Sequence, residues 1–207
     1  MGKIGILGGT FNPVHLGHLL AGRAAAEAFG FDKVLLTPCN VSPFKVGSSG
    51  LASGADRLEM VRLSVAGDPL FEPCATDLER GGISYAVDTV RALRERSPGD
   101  QFAFIIGMDA LRELSHWHNV DELLNLCEVV TVERPGLDVP VTADALGFPA
   151  ATRGKLLAKV TRGRLFDVSS SEIRRRIAEG KTIRYLVCPV VEVYIRTHGL
   201  YGAAKEE

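Results

Sequence analysis

Short, almost entirely apolar segments alternate along this chain with longer segments of helical pattern. The clearest of them is Gln101–Ile106, a run of the kind that is covered on both faces in a parallel sheet. Further strands are predicted at Lys3–Leu7, Lys33–Thr37, Leu70–Cys74, Glu128–Val132 and Arg164–Val168. The alternation predicts an α/β fold with a doubly wound, mostly parallel sheet, whose ligands bind beyond the carboxyl ends of the strands.

Helices are predicted between and after these strands, because apolar residues recur there at helical spacing. They are Leu16–Phe29, Ala55–Ala66, Tyr85–Arg96, Asp121–Leu126, Glu172–Ala178 and Pro189–Thr197. Ser84 is the predicted N-cap of the helix that begins at Tyr85. Residues 137–160 carry loop signals and room for one helix. No internal repeat and no linker is visible in the sequence, so we expect a single domain over residues 1–207.

Charge is balanced over the whole chain but not along it. Lys and Arg number 24 against 25 Asp and Glu, a net charge of −1, which argues against binding of long nucleic acid by bulk charge. Residues 153–184 carry ten basic and three acidic side chains, or +7, so the remainder sums to −8. The basic segment is either a solvated helix face or an edge that faces phosphate groups.

Several classes of protein are not expected from this sequence. No apolar run approaches the roughly 20 residues of a membrane span, and the first residues lack the pattern of a signal peptide. The four cysteines are far apart and show no metal-type spacing, so we expect reduced thiols. The expected location is the cytoplasm, without a membrane partner.

Histidine is scarce, yet four of the five histidines form two close pairs. The pairs are His15 with His18 and His116 with His118. The second pair could be read as metal ligands, but no third ligand is evident, and no protein-bound metal is expected. The first pair follows a glycine-rich turn and is therefore the more informative one.

The glycine-rich turn after the first strand is typical of nucleotide binding, but the familiar motifs are missing. The dinucleotide fingerprint is absent around Gly8 and Gly9. The Walker pattern fails as well, since Arg175 stands where the first glycine would precede Gly180-Lys181-Thr182. A plain dehydrogenase or P-loop NTPase is therefore not expected.

The turn instead leads into a segment that reads as a phosphate cradle, Gly8-Gly9-Thr10-Phe11-Asn12-Pro13-Val14-His15-Leu16-Gly17-His18. Two glycines allow a ligand to approach the backbone N–H groups closely. A helix N-terminus adds partial positive charge for an anion. His15 and His18 are three residues apart and share one helix face, which Gly17 keeps clear. Two structural histidines are the alternative interpretation.

This segment resembles the signature of the HxGH-motif nucleotidyltransferases. Within that superfamily, the whole chain is similar to the bacterial nicotinate-nucleotide adenylyltransferases. The similarity implies their Rossmann-like fold. The similarity continues through five further motifs along the chain. They are Ser42-Pro43-Phe44-Lys45, Ile83-Ser84-Tyr85-Ala86-Val87-Asp88-Thr89, Ile105-Ile106-Gly107-Met108-Asp109 with Trp117, Arg134-Pro135-Gly136, and Val168-Ser169-Ser170-Ser171-Glu172-Ile173-Arg174.

The resemblance implies that ATP and nicotinate mononucleotide react to give deamido-NAD and pyrophosphate. By resemblance, His18 contacts the α-phosphate and His15 helps to hold the phosphate chain. Lys45 is a further catalytic cation on a loop, or else a solvated loop lysine. Arg174 is expected at the β- and γ-phosphates, where the C-terminal part, about 160–207, completes the ATP site.

The remaining ATP-binding residues are expected at strand ends and helix starts. They are Gly8, Gly9, Thr10, Phe11, Gly107, Asp109, Arg134, Ser169 and Ser170. Asp109 is suited to accept a hydrogen bond from a ribose hydroxyl, unless it is a helix N-cap. Arg134 could stack on adenine through its planar guanidinium, unless it forms a surface salt bridge.

The mononucleotide site is expected around one aromatic side chain, Trp117, which by resemblance stacks on the pyridine ring and is otherwise a core residue. Further residues of this site are Asn40, Lys45, Ser84, Tyr85, Ala86, Asp109 and His118. Two positions depart from the family pattern. Ala86 replaces the usual Thr, and Phe44 replaces the usual His. The departure at Ala86 leaves the preference for nicotinate over nicotinamide mononucleotide open.

The implied partners are small molecules only. Mg²⁺ is expected to arrive with ATP, because no carboxylate cluster is evident to hold it. Another phosphate acceptor such as phosphopantetheine and a non-catalytic nucleotide-binding module are the competing hypotheses. A homo-oligomer is left open.

Overall fold

The chain folds around one six-stranded sheet in which every strand pairing is parallel. The computed structural model describes residues 1–43, 50–134, 136 and 145–204. The sheet has the order β3-β2-β1-β4-β5-β6. Its strands are β1 (Lys3–Gly9), β2 (Lys33–Pro38), β3 (Phe71–Pro73), β4 (Gln101–Gly107), β5 (Glu128–Glu133) and β6 (Val160–Arg162). The predicted fold class is therefore confirmed.

Helices cover both faces of the sheet. Those described are α1 (Leu16–Phe29), α2 (Gly54–Ser64), α3 (Thr76–Arg80), α4 (Ala86–Arg96), α5 (Met108–Glu113), α6 (Val120–Leu126), α7 (Ala150–Leu157), α8 (Ser170–Ala178) and α9 (Pro189–Thr197). Short 3₁₀ turns lie at Leu114–His116 and Leu200–Gly202. None of the helices in this part of the chain is long and apolar enough to cross a membrane.

Alternate residues of the strands pack into two hydrophobic cores, one on each face of the sheet. Ala103 and Ile105 of β4 point into the core that α1, α2, α8 and α9 cover. Phe104 and Ile106 point into the other core, beneath α4, α5, α6 and α7. Successive side chains of a strand point to opposite faces, so a strand buried on both sides must be apolar throughout. The continuous apolar runs in the sequence have this origin.

One predicted strand, Arg164–Val168, is wrong. The last strand is β6, which pairs with β5 through Thr131 and Val160. After Gly163 donates to the carbonyl of Glu133, the chain leaves the sheet edge and runs to α8 without regular structure. Leu165, in the middle of the predicted strand, is 64% exposed.

Candidate active site

The strand order reverses beside β1, which separates β2 on one side from β4 on the other. In doubly wound sheets the crevice at such a reversal, beyond the carboxyl ends of the strands, is where ligands bind. Residues 8–18, from the last two residues of β1 to the first turn of α1, are called the β1 loop below. Its conformation is compact, since Phe11 is 1% exposed with a φ of 47°.

The two histidines of the β1 loop stack on each other at the start of α1. Their ring centroids lie 3.7 Å apart with an interplanar angle of 23°. His15 is the N-cap residue of α1, and its backbone N–H donates to Nδ1 of His18 over 3.2 Å. Since Nδ1 of His18 accepts, a neutral His18 carries its proton on Nε2. The ring therefore offers an N–H donor on the side away from the helix backbone.

Gly17 leaves the space that this stacking requires. A Cβ at this position would lie 3.0 Å from Nδ1 of His15 and 3.0 Å from Cγ1 of Val168. Such contacts are tighter than packed side chains usually allow, so the ring of His15 or the chain before α8 would have to shift. The glycine between the two histidines is thus explained by packing around His15.

His15 is nearly buried, and its electrostatic state follows from that burial. It is 8% exposed. Burial, and secondly the positive charge of Arg134, lower the pKa of His15 from its ordinary 6.5 to about 4. His15 is therefore a neutral imidazole at pH 7 and can donate a hydrogen bond without being a strong base. Within the described residues, its Nδ1 has no hydrogen-bond partner.

The start of α8 lies against the β1 loop although it is far away in sequence. Ser170 Oγ donates to the carbonyl of Pro13 over 2.8 Å. Arg174 Nη1 donates to the carbonyl of Asn12 over 2.7 Å, and its Nη2 donates to Ser171 Oγ over 3.2 Å. The basic C-terminal segment is thereby placed at the loop of the two histidines.

A second group of predicted residues meets beside the end of β2. The backbone N–H of Asn40 donates to Ser84 Oγ over 2.9 Å, and Asn40 Nδ2 donates to the carbonyl of Gly82 over 3.0 Å. The rings of Tyr85 and His118 lie 4.2 Å apart with an interplanar angle of 30°. Trp117 is half-buried and meets Phe104 edge to face, with ring centroids 6.0 Å apart. These residues form a partly aromatic wall.

Asp109 and Arg134 lie after the ends of the neighbouring strands β4 and β5. Arg134 Nη2 and Asp109 Oδ2 form an ion pair over 3.0 Å, and Arg112 Nη1 reaches Asp109 Oδ1 over 3.3 Å. The side chain of Asp109 is 72% exposed. The structure therefore contains the salt bridge that was the alternative interpretation of Arg134.

Similarity to known proteins extends over nearly the whole chain. Residues 6–176 match the family model described as cytidylyltransferase-like. A probable nicotinate-nucleotide adenylyltransferase of Geobacillus kaustophilus is 42% identical over 203 residues, which cover 98% of this chain and 88% of that protein. A relative with the same description in Shouchella clausii is 39% identical over 206 residues, which cover 100% of both chains.

The chain belongs to the nicotinate-nucleotide adenylyltransferase family. The resemblance inferred from the sequence motifs is confirmed by these relatives. A solved structure described as Plasmodium falciparum nicotinic acid mononucleotide adenylyltransferase complexed with NaAD has the same fold, with a TM-score of 0.72. Its sequence identity is 18%, and the match covers 97% of this chain and 98% of that one.

Ser84, the predicted N-cap of α4, and Asp109, for which an N-cap was the alternative interpretation, do not cap α4 and α5. Ser84 is not the N-cap of α4; that position is held by Tyr85, because Ser84 Oγ accepts from Asn40 instead. Asp109 is not an N-cap either, since Gly107 caps α5 and Asp109 lies in its first turn. Ser169, in contrast, is the N-cap of α8 and accepts from the N–H of Glu172 over 3.1 Å.

Other predicted residues are not brought into the site or lie outside the described residues. Phe44 and Lys45 belong to the latter group. His116 is exposed and lies 3.5 Å from Glu113, away from any metal-like arrangement. Across residues 1–43, 50–134, 136 and 145–204, no three His, Cys, Asp or Glu side chains converge as a metal site would require.

Sequence reasoning missed the residues that support the β1 loop from behind. Asn12 Oδ1 accepts from the hydroxyl of Tyr201 over 2.8 Å and from the N–H of Ala52 over 3.0 Å. Burial raises the pKa of Tyr201 above its ordinary value. The buried Arg57 contacts the loop as well. Asn12 belongs to the quoted signature and Arg57 is a charged residue on a predicted helix, but neither pattern indicates a distant partner.

Proposed function

We propose that this chain transfers the adenylyl group of ATP to the phosphate of nicotinate mononucleotide, which gives deamido-NAD and pyrophosphate. The observation that carries the proposal is the stacked pair of His15 and His18 in the crevice beside β1. The full-length similarity to relatives described as probable nicotinate-nucleotide adenylyltransferases supports it. ATP and the mononucleotide are the two small-molecule substrates.

In this reaction a phosphate oxygen of the mononucleotide attacks the α-phosphorus of ATP. A new bond forms between that oxygen and the phosphorus, while the bond from the α-phosphorus to the bridging oxygen of pyrophosphate breaks. The attacking phosphate is already an anion at pH 7, so no general base is required. Catalysis then depends on alignment and on stabilisation of the charge that develops on the phosphoryl oxygens.

The donors of the β1 loop suit that task. In the proposal, Nε2–H of His18 contacts the α-phosphate, and neutral His15 and the N–H groups of residues 8–11 hold the phosphate chain. The low pKa of His15 fits a donor that takes no proton from the substrate. Donors fixed in advance where charge develops are each worth about 10²–10³ in rate.

Arg174 is the proposed cation for the β- and γ-phosphates. Its guanidinium has five N–H donors, of which two bond to Asn12 and Ser171, so other donors of the same group remain for phosphate oxygens. Ser169, Ser170 and the N-terminus of α8 contribute backbone donors in the same direction. Asp109, Gly107 and Arg134 are proposed for the ribose and adenine.

The mononucleotide is proposed to lie on the wall beside β2. Trp117 stacks on the pyridine ring, a flat apolar contact that suits an aromatic ligand. Backbone N–H groups near Ala86 and His118 face the nicotinate carboxylate. The remaining residues of this proposed site are Asn40, Ser84, Tyr85, Asp109 and, on the segment outside the described residues, Lys45.

Mg²⁺ is proposed to enter as a complex with ATP and to neutralise charge on the phosphates. The donors around the proposed phosphate position, His18, His15 and Arg174, are all N–H groups and do not suit a hard cation. Phosphate oxygens and water are the ligands that Mg²⁺ prefers at such sites.

We retain as expectations a single domain over residues 1–207 and a cytoplasmic location.

The proposal is tested by pyrophosphate release from ATP and Mg²⁺ with one acceptor offered at a time. Nicotinate mononucleotide should give the fastest release, and deamido-NAD should form in equal amount. Faster release with nicotinamide mononucleotide or with phosphopantetheine would overturn the choice of substrate. Absence of release with every acceptor would favour a non-catalytic nucleotide-binding module.

A further inference from the structure

Arg57 is the most deeply buried charged side chain of the described residues. It lies in the first turns of α2 and is 1% exposed. Its guanidinium donates to four carbonyl oxygens. They belong to Thr10 at 2.9 Å, Cys39 at 2.6 Å, Ala52 at 3.1 Å and Asn40 at 3.4 Å.

A buried guanidinium is usually paired with a carboxylate, because removing its charge from water costs several kcal/mol. Over residues 1–43, 50–134, 136 and 145–204, no Asp or Glu forms a salt bridge with Arg57, and its partners are backbone carbonyls. Burial lowers the pKa of Arg57, but an arginine stays protonated at any physiological pH. The hydrogen bonds to backbone carbonyls offset the cost of burying this charge. They also hold the backbone segments that carry those carbonyls in place.

Three of the four carbonyls come from the two sides of the proposed substrate crevice, and the fourth, that of Ala52, directly precedes α2. Thr10 lies in the β1 loop, on the ATP side. Cys39 and Asn40 follow β2 on the mononucleotide side, where Asn40 bonds on to Ser84. A single atom, Nη1 of Arg57, donates to both Thr10 and Cys39. Backbone pairing already joins the two segments at their base, where the N–H of Cys39 donates to the carbonyl of Gly9 over 2.9 Å, and Arg57 adds a side-chain link just beyond that point.

We infer that Arg57 is a positioning residue that holds the β1 loop and the segment after β2 at the distance needed for attack on the α-phosphate. The inference rests on the proposed function, since it assigns ATP to one loop and the mononucleotide to the other. Arg57 is buried behind both loops and acts through their backbone. In-line phosphoryl transfer depends on the relative placement of two bound substrates, and a misplacement of 1 Å can cost about 10²-fold in rate.

The test compares Arg57→Met and Arg57→Lys with the wild-type chain and with Arg62→Met. Arg62 is the matched control, because it lies on the same helix but is 61% exposed and pairs with Glu59. In Arg57→Met, kcat should fall about 10²-fold. The dissociation constants of ATP and of the mononucleotide, each measured alone by calorimetry, should change by less than about threefold, because each loop still binds its own substrate.

Arg57→Lys separates this role from mere packing. Lysine keeps a positive charge with three N–H donors, but its Nζ ends near the position of Cζ, one bond short of Nη1, so it can replace the bonds to Thr10 and Cys39 only in part. The kcat of this variant should therefore be at least about tenfold above that of Arg57→Met but below that of the wild-type chain. Arg62→Met should have the wild-type kcat. Circular dichroism and urea unfolding show whether each variant is folded, and kcat is expressed per folded molecule.

Three results would overturn the inference while the wild-type chain is active. They are a kcat of folded Arg57→Met near the wild-type value, a loss confined to the binding of one substrate, and an Arg57→Lys that is folded but no better than Arg57→Met. If Arg57→Met does not fold, Arg57→Lys decides alone, and an unchanged kcat contradicts the inference. A wild-type chain that releases no pyrophosphate overturns the proposed function itself, which is a different result.

Discussion

The β1 loop and the wall beside β2 are built in different ways. Residues 11–15 of the β1 loop are buried, and the loop is bonded from several directions, by Arg57, Arg174 and Tyr201. On the wall, Trp117 is half-buried and His118 is exposed. Rigid donors are needed where charge develops in a reaction, whereas a flat ring can be recognised by aromatic surfaces with fewer constraints. Among the residues named here, more hydrogen bonds from distant parts of the chain support the β1 loop, on the proposed ATP side, than support the wall.

The largest effect is expected from loss of the donor at the centre of the β1 loop. In His18→Ala, kcat should fall by about 10²–10³, because a donor to the α-phosphate is lost. The fold should remain, since the ring of His18 packs on Phe11 and His15 at the edge of the core. Steady-state pyrophosphate release measures the effect.

His116→Ala is the control for that variant, since His116 is an exposed histidine whose described contact is Glu113. It should have the wild-type kcat. A His18→Ala enzyme with the wild-type rate would contradict the role of His18. Equal losses in both variants would show that the effect is not specific to the β1 loop.

A second prediction concerns the pH dependence of stability that buried His15 introduces. The pKa of His15 is about 4 in the folded chain and 6.5 when it is exposed, so the unfolded state binds more protons between these values. The contribution is therefore favourable above pH 6.5 and is lost as the pH falls towards 4. The full difference amounts to about 3 kcal/mol in the free energy of unfolding.

Urea unfolding of the wild-type chain and of His15→Gln measures this loss. Gln does not titrate, so the wild-type chain should lose stability relative to His15→Gln as the pH falls from 6.5 to 4. His116→Gln serves as the control and should stay parallel to the wild type. Parallel curves for His15→Gln would show that His15 is not buried as described.

A smaller effect is expected from a methyl group between the two histidines. In Gly17→Ala, the new Cβ would meet His15 and Val168 at 3.0 Å, so the stacked rings should be displaced. We expect kcat to fall about 10- to 100-fold and stability to fall by about 1–3 kcal/mol.

Gly154→Ala is the matched control for this change. Gly154 lies inside α7, and a Cβ there would have nothing within 4 Å. Alanine is favoured over glycine in a helix by about 1 kcal/mol, so this variant should be at least as stable as the wild type, with unchanged kcat. Wild-type kcat in Gly17→Ala would show that the loop tolerates a shift of His15.

The sequence predicted the fold and the β1 loop well because local patterns encode both. Five of the six predicted strands are found, since residues buried on both faces of a sheet must be apolar. Arg164–Val168 failed, because an apolar run does not reveal that a partner strand has ended at Glu133. Likewise, the short α3 offers too few turns for a periodic signal.

The candidate site was predicted as separate motifs, without the contacts between them. His15 and His18 were proposed from a glycine-rich turn at a helix start, and Arg174 from the last motif of the resemblance, and each of these patterns is local. The bonds from Arg57 to the β1 loop and from Tyr201 to Asn12 join residues 47 and 189 positions apart. Such pairs follow from the packing of the whole sheet, and no local pattern in one sequence indicates them.

The smallest predicted effect lies on the wall beside β2 and concerns Ala86, the first residue of α4. In Ala86→Thr, the added hydroxyl would supply one more donor near the proposed nicotinate carboxylate. A hydrogen bond to a charged group is worth about 1.5–3 kcal/mol, so the ratio of kcat/KM for nicotinate over nicotinamide mononucleotide should rise at least about tenfold. Ala86→Val, which adds the same shape without the hydroxyl, should leave the ratio unchanged. Since the substitution lies outside the β1 loop, the KM for ATP should not change. A change in KM for both ATP and the mononucleotide would show that the β1 loop and the wall are not independent.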